Sequence, residues 1–105
     1  MTEASCVILT TAGSRAEADR IAEALVSRRL AACVQVSDVA STYRWYGKVM
    51  HEAEQLLLIK TAARLYGEVE AAIQELHSYE IPEIVQLPIE AGLDRYLGWI
   101  DESTR

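Results

Sequence analysis

The feature that most narrows the fold is a run of extended character too long for the body it must belong to. Ala32 to Val36 and Thr42 to Tyr46 are rich in β-branched and aromatic residues and read as one strand, either unbroken or interrupted near Ser37-Asp38. Tyr46-Gly47-Lys48 then supplies a turn into Val49, and the return strand ends in the apolar run Leu56-Leu57-Leu58-Ile59, as in a strand covered on both faces. Unbroken, the outgoing strand spans on the order of 50 Å, whereas a domain of this size is roughly 34 Å across. The hairpin is therefore expected to protrude and to carry Tyr43, Trp45 and Tyr46 with it. A bare two-stranded ribbon bearing such aromatics is marginal in water, and pairing with another subunit resolves both problems.

The flanking segments complete a recognisable order. Cys6 to Thr11 is a short apolar and β-branched run that fits a buried strand. Ser14 and Glu17 have the spacing of a capping box, and Ala18, Ile21, Ala22 and Leu25 recur at helical intervals up to Arg28-Arg29. A second helix is expected to begin at Thr61, because Leu65, Val69, Ala72, Ile73 and Leu76 form one apolar stripe. Ile84-Val85-Gln86-Leu87 reads as a fourth strand stopped by Pro88, and Leu93, Tyr96, Leu97 and Ile100 predict a short terminal helix. Two crossover units joined by a hairpin give a ferredoxin-like α+β sandwich, βαββαβ plus the terminal helix, with both crossover helices on one sheet face. Residues 1–105 are expected to form one domain, since half of the chain is apolar and no linker interrupts it.

Composition limits the partners. The formal net charge is −6 with only Lys48 and Lys60 as lysines, so a phosphate backbone would meet a repulsive field, and nucleic acid is not expected. Cys6 and Cys33 each lie in an apolar strand and are expected to be reduced and unpaired. No apolar run approaches the ~20 residues that cross a bilayer, so a cytoplasmic protein with no membrane partner is expected. No Gly-x-Gly-x-x-Gly, Walker loop or Gly-x-Ser-x-Gly occurs, and no nucleophile stands beside a base, so the expected role is not enzymatic.

Polar chemistry gathers in Leu76-His77-Ser78-Tyr79-Glu80-Ile81-Pro82-Glu83-Ile84, where an imidazole, a phenol and two carboxylates surround a proline that stiffens the loop. His77 reads either as a charged cap on the helix C-terminus or as a ligand. Glu80 and Glu83 read as solvated acids, as an acid and base pair, or as hard cation ligands. Cys33 is strand packing or a soft metal ligand. Lys60 ends an apolar strand, where its ammonium either finds an anion or snorkels to water. Trp45 is a recognition platform or an interface anchor. His51, Glu52 and Glu54 form a second polar cluster, which alternation splits, with the glutamates on one face and the histidine on the other.

Leu30-Ala31-Ala32-Cys33-Val34, Tyr43-Arg44-Trp45-Tyr46-Gly47-Lys48, Leu58-Ile59-Lys60-Thr61, His77 to Ile84 and Tyr96-Leu97-Gly98-Trp99-Ile100 resemble, in order, the signature segments of the CutA divalent-cation tolerance family. The resemblance covers nearly the whole chain. It implies a ferredoxin-like subunit in a homotrimer, similar in architecture to PII-type signalling proteins, with a link to copper and other divalent cations. The family's His-Pro-Tyr is His77-Ser78-Tyr79 here. Copper ligands of some bacterial relatives fall at Thr10, Leu76 and His77, which leaves one donor of three, and Cys33 with His77 is the remaining soft pair. The resemblance thus implies a trimer that binds a metal, with His77 and Cys33 as metal ligands and Lys60, Tyr79, Glu83 and Trp45 around a ligand. A PII-like sensor of a small anion, carried by Lys60 and Arg44, and a purely structural trimer are the alternatives.

Overall fold

The computed structural model describes residues 4–105, which form β1 (Ser5–Ala12), α1 (Arg15–Ser27), β2 (Cys33–Trp45), β3 (Lys48–Ala62), a single 3₁₀ turn (Ala63–Leu65), α2 (Tyr66–Leu76), β4 (Val85–Pro88) and α3 (Asp94–Ser103). The four strands make one antiparallel sheet in the order β2-β3-β1-β4. Each helix α1 and α2 thus links strands that are second neighbours in the sheet, which is the ferredoxin-like arrangement.

Both helices bury their stripes on one sheet face. Ala18, Ile21 and Leu25 of α1 and Val69, Ala72 and Ile73 of α2 close over Cys6, Ile8, Leu57 and Ile59 to form the core. Each fully buried Ile or Leu contributes about 1.5–3 kcal/mol of transfer free energy, so this layer supplies most of the folding drive. Ser14 caps α1 by accepting the Glu17 N–H on its Oγ at 3.1 Å.

One open alternative is decided and one local expectation is corrected. The second strand is continuous through Ser37-Asp38, because every residue from Cys33 to Trp45 has a partner on β3. The second helix does not begin at Thr61: Thr61 pairs with Cys6, Ala62 pairs with Ser5, and the Thr61 hydroxyl donates to the Leu30 carbonyl at 2.7 Å. Sheet pairing and that bond hold the chain extended until the 3₁₀ turn, and α2 starts at Tyr66.

The hairpin does protrude, giving the molecule extents of 48 × 25 × 22 Å. Its two-residue loop places Tyr46 at φ 48° and Gly47 at φ 77°, the positive pair that a type I′ turn requires. Opposite the helices, Val7, Leu9, Leu56 and Leu58 are half-buried, and Val85 and Leu87 of β4 are exposed. α3 meets this open face near one end, where the Lys60 ammonium lies 5.8 Å from the Tyr96 ring centroid.

Candidate functional site

The sequence places the His77 to Glu83 loop just after α2, and tertiary contacts fix it against the end of β1. The His77 side chain is fully buried. Its Nε2 lies 2.6 Å from the Thr11 carbonyl oxygen, which can only accept, and its Nδ1 accepts the Tyr79 N–H at 3.0 Å. These partners define a neutral ring with its proton on Nε2. Glu17 lies 3.9 Å from Nδ1, but with no proton on that nitrogen the contact is not an ion pair. Both ring nitrogens are committed to backbone groups, and the one ligating lone pair, on Nδ1, is taken by the Tyr79 N–H rather than directed at a metal.

Glu17 explains how the loop is held. Its carboxylate does not turn back on the Ser14 N–H as a capping box would; it accepts the Ser78 N–H at 2.8 Å and the Ser78 hydroxyl at 3.1 Å. Burial alone would raise this carboxyl, and the Ser78 bonds, with the Gly13 N–H, more than reverse it, so Glu17 titrates below its ordinary value. A carboxyl depressed on folding stabilises fully above its unfolded value of about 4.3, and that contribution is lost as pH falls through the lower folded value. The Ser78 amide resonance is therefore expected to shift only below about pH 4.3, and a midpoint above that value would show that Glu17 is not its anchor.

Tyr79 turns from this anchor toward the hairpin. Its hydroxyl donates to Glu54 Oε2 at 2.7 Å, and Gly13 leaves room for the phenol, since a Cβ there would lie 3.0 Å from the Tyr79 oxygen. Burial first, and then the Glu54 bond, push this phenol well above its ordinary value, so it remains a donor. On the hairpin, Tyr43 donates likewise to Glu52 Oε1 at 2.7 Å, which also raises the phenol.

Between hairpin and loop lies a cavity of about 520 Å³. Trp45 and Tyr43 form its hairpin wall, Glu52 and Glu54 its sheet wall, and Tyr79, Glu80, Ile81 and Glu83 its loop wall. Four carboxylates line it with no lysine, arginine or histidine among the described lining residues. Such a site repels anions and attracts cations.

Three of the four expected ligand-binding residues, Trp45, Tyr79 and Glu83, thus meet in one cavity, whereas Lys60 does not. Lys60 pairs with Val7 and Thr11 pairs with Leu56, so four register steps, about 14 Å, separate Lys60 from the loop's docking point. Its ammonium is instead satisfied by Gln35 Oε1 at 2.7 Å and by the Tyr96 ring. Cys33 pairs with Lys60 and so lies at that same remote end, and the structure does not bring it to His77. Cys33 lies on the open face and Cys6 on the helix face, and both are free thiols. Thr10 is buried on the helix side of β1 with its hydroxyl lacking a partner among the described residues. No group of three His, Cys, Asp or Glu residues arranged to hold a metal occurs among the described residues. Tyr43, Glu52 and Glu54 were not expected in the site. The turn at Tyr46-Gly47 was their signal, because it fixes the register that sets Tyr43 diagonally across from Glu52.

The sheet order, the paired helices and the acidic cavity beside a long hairpin define a ferredoxin-like, PII-like α+β domain. Within that class the chain belongs to the CutA1 divalent ion tolerance protein family, whose sequence model matches residues 6–103. It is 46% identical over 93% of its length to the divalent-cation tolerance protein CutA of Thermus thermophilus, covering 96% of that relative. Among solved structures, it superposes on CutA1 from Oryza sativa with a TM-score of 0.96 at 38% identity, covering 99% of this chain and 96% of that one. The periplasmic divalent cation tolerance protein CutA from Archaeoglobus fulgidus superposes with a TM-score of 0.95 at 39% identity, covering 96% of this chain and 99% of that one. No helix of the described residues is long and apolar enough to cross a membrane.

Proposed function

We propose that the chain is one subunit of a cytoplasmic homotrimer that binds divalent cations, copper among them, through the carboxylates of the hairpin cavity. The four glutamates facing one cavity without a basic residue carry this reading. Because one subunit offers no convergent set of three ligands, a cation held there keeps water ligands or takes donors from a neighbouring subunit. Free thiols at Cys6 and Cys33 suit a reducing compartment. The role is binding rather than catalysis.

Assembly is supported by what one subunit leaves uncovered. Val7, Leu9, Leu56, Leu58, Val85 and Leu87 make one apolar sheet face. Exposed aromatics occur as two unlike patches, Tyr43 and Trp45 on the hairpin and Tyr96 and Trp99 on α3. Lys60, under Tyr96, pairs with Cys33 at the opposite end of β2 from Trp45, about 40 Å away. Unlike patches that mate from copy to copy form a heterologous contact, which closes as a ring when the rotation between copies is a whole fraction of a turn, one third for a trimer.

Calorimetric titration of metal-stripped protein with Cu²⁺ and Mn²⁺ tests the ligand. Copper is expected to bind more tightly than manganese, as donor sites of this kind order them, and Glu54→Gln or Glu83→Gln is expected to weaken both. Binding that both variants leave intact would remove the cavity as the site. An anionic metabolite that binds wild type and is lost in Lys60→Ala would favour the small-anion sensor.

A further inference from the structure

The same cavity has properties that a metal ion does not use. Its volume of about 520 Å³ falls in the range of small-molecule sites, ~300–1,000 Å³. Aromatic rings line it, and ring faces attract ammonium groups more effectively than they attract a strongly hydrated metal. Thr11 is only 8% exposed and lines the cavity, yet its hydroxyl has no hydrogen-bond partner among the described residues. Thr10 points to the core, so alternation along β1 sends Thr11 to the opposite, cavity side. Glu54 is likewise 8% exposed; Tyr79 occupies its Oε2, and its Oε1 has no partner among the described residues. A hydroxyl and a carboxylate oxygen on two residues more than nine-tenths buried, both unpaired and open to this volume, are groups that a donor-bearing ligand satisfies.

The acids lie on two walls, Glu52 and Glu54 on β3 and Glu80 and Glu83 on the loop. Between them, Trp45, Tyr43 and Ile81 supply apolar surface. We propose that this cavity binds a short aliphatic diamine, with one ammonium group on the β3 glutamates and Thr11, the other on the loop glutamates, and the methylene chain against Trp45, Tyr43 and Ile81. The proposal rests on the cavity used by the divalent-cation reading, and it assigns that cavity a second chemical class of ligand.

Trp99→Phe leaves Trp45 as the only tryptophan, so its fluorescence reports on the cavity wall. This variant is titrated with diaminobutane, with butylamine and butanediol as controls at constant ionic strength. Saturable change is expected with the diamine, at least about tenfold weaker binding of butylamine, and none of butanediol. Glu54→Gln and, on the exposed hairpin, Glu52→Gln are each expected to weaken the diamine by about tenfold, while Glu68→Gln, an exposed acid on α2, does not. No saturation, equal binding of butylamine, or indifference to both cavity variants would overturn the proposal. Metal titration of the same proteins separates the two readings. Diamine binding without metal binding would sink the divalent-cation reading alone, and metal binding lost in Glu54→Gln without diamine binding would sink this one alone.

Discussion

Leu58→Glu is expected to yield a folded subunit that no longer assembles. Leu58 is half-buried on the sheet face opposite the helices and lies outside the cluster of buried residues that forms the core. In an isolated subunit the new carboxylate can reach water, so circular dichroism is expected to remain native. In a trimer that covers this face, each subunit would bury an unpaired charge, which costs about 3–5 kcal/mol per site. Light scattering at micromolar concentration is expected to report a trimer for the parent and a monomer for the variant. An unchanged trimer would show that assembly uses another surface, and a monomeric parent would remove the trimer altogether.

His77→Ala is expected to destabilise the metal-free protein by about 3 kcal/mol, because it leaves the buried Thr11 carbonyl and the Tyr79 N–H without their partner and opens a cavity. Urea denaturation of metal-stripped protein measures this directly. A ligand role makes the opposite pattern: apo stability would be nearly unchanged and copper affinity would collapse. The two outcomes differ in which measurement moves, so the experiment decides between a ring that ties the loop to β1 and a ring that holds metal.

Local signals made the frame legible. Ser14 caps α1 because its hydroxyl meets a donor three residues away, and the α2 stripe buries Val69, Ala72 and Ile73 because 3.6-residue periodicity is a property of the segment itself. The boundary at Thr61 was not legible, since it depends on pairing with a strand more than fifty residues earlier. The site divides in the same way. Trp45, Tyr79 and Glu83 stand out as residue types, but their meeting depends on how the loop docks on β1. Glu52 and Glu54 read as surface acids until register places them beside Tyr43 and Tyr79. His77 is the clearest limit, because a cap, a ligand and a neutral buried tie share one sequence context, and only the atoms facing its two nitrogens tell them apart.

The sheet order also sets a sequence of events in synthesis. β1 is a central strand, yet its partners on β3 and β4 lie more than forty residues further along the chain. The β2–β3 ribbon can zip from its own two-residue loop as soon as it leaves the ribosome, whereas the earlier strand must wait with Cys6, Val7, Ile8 and Leu9 unshielded. The first strand made is thus inserted only after the second and third have paired, and β4, whose one partner is β1, follows it. During that interval this stretch is the segment most in need of a chaperone's protection.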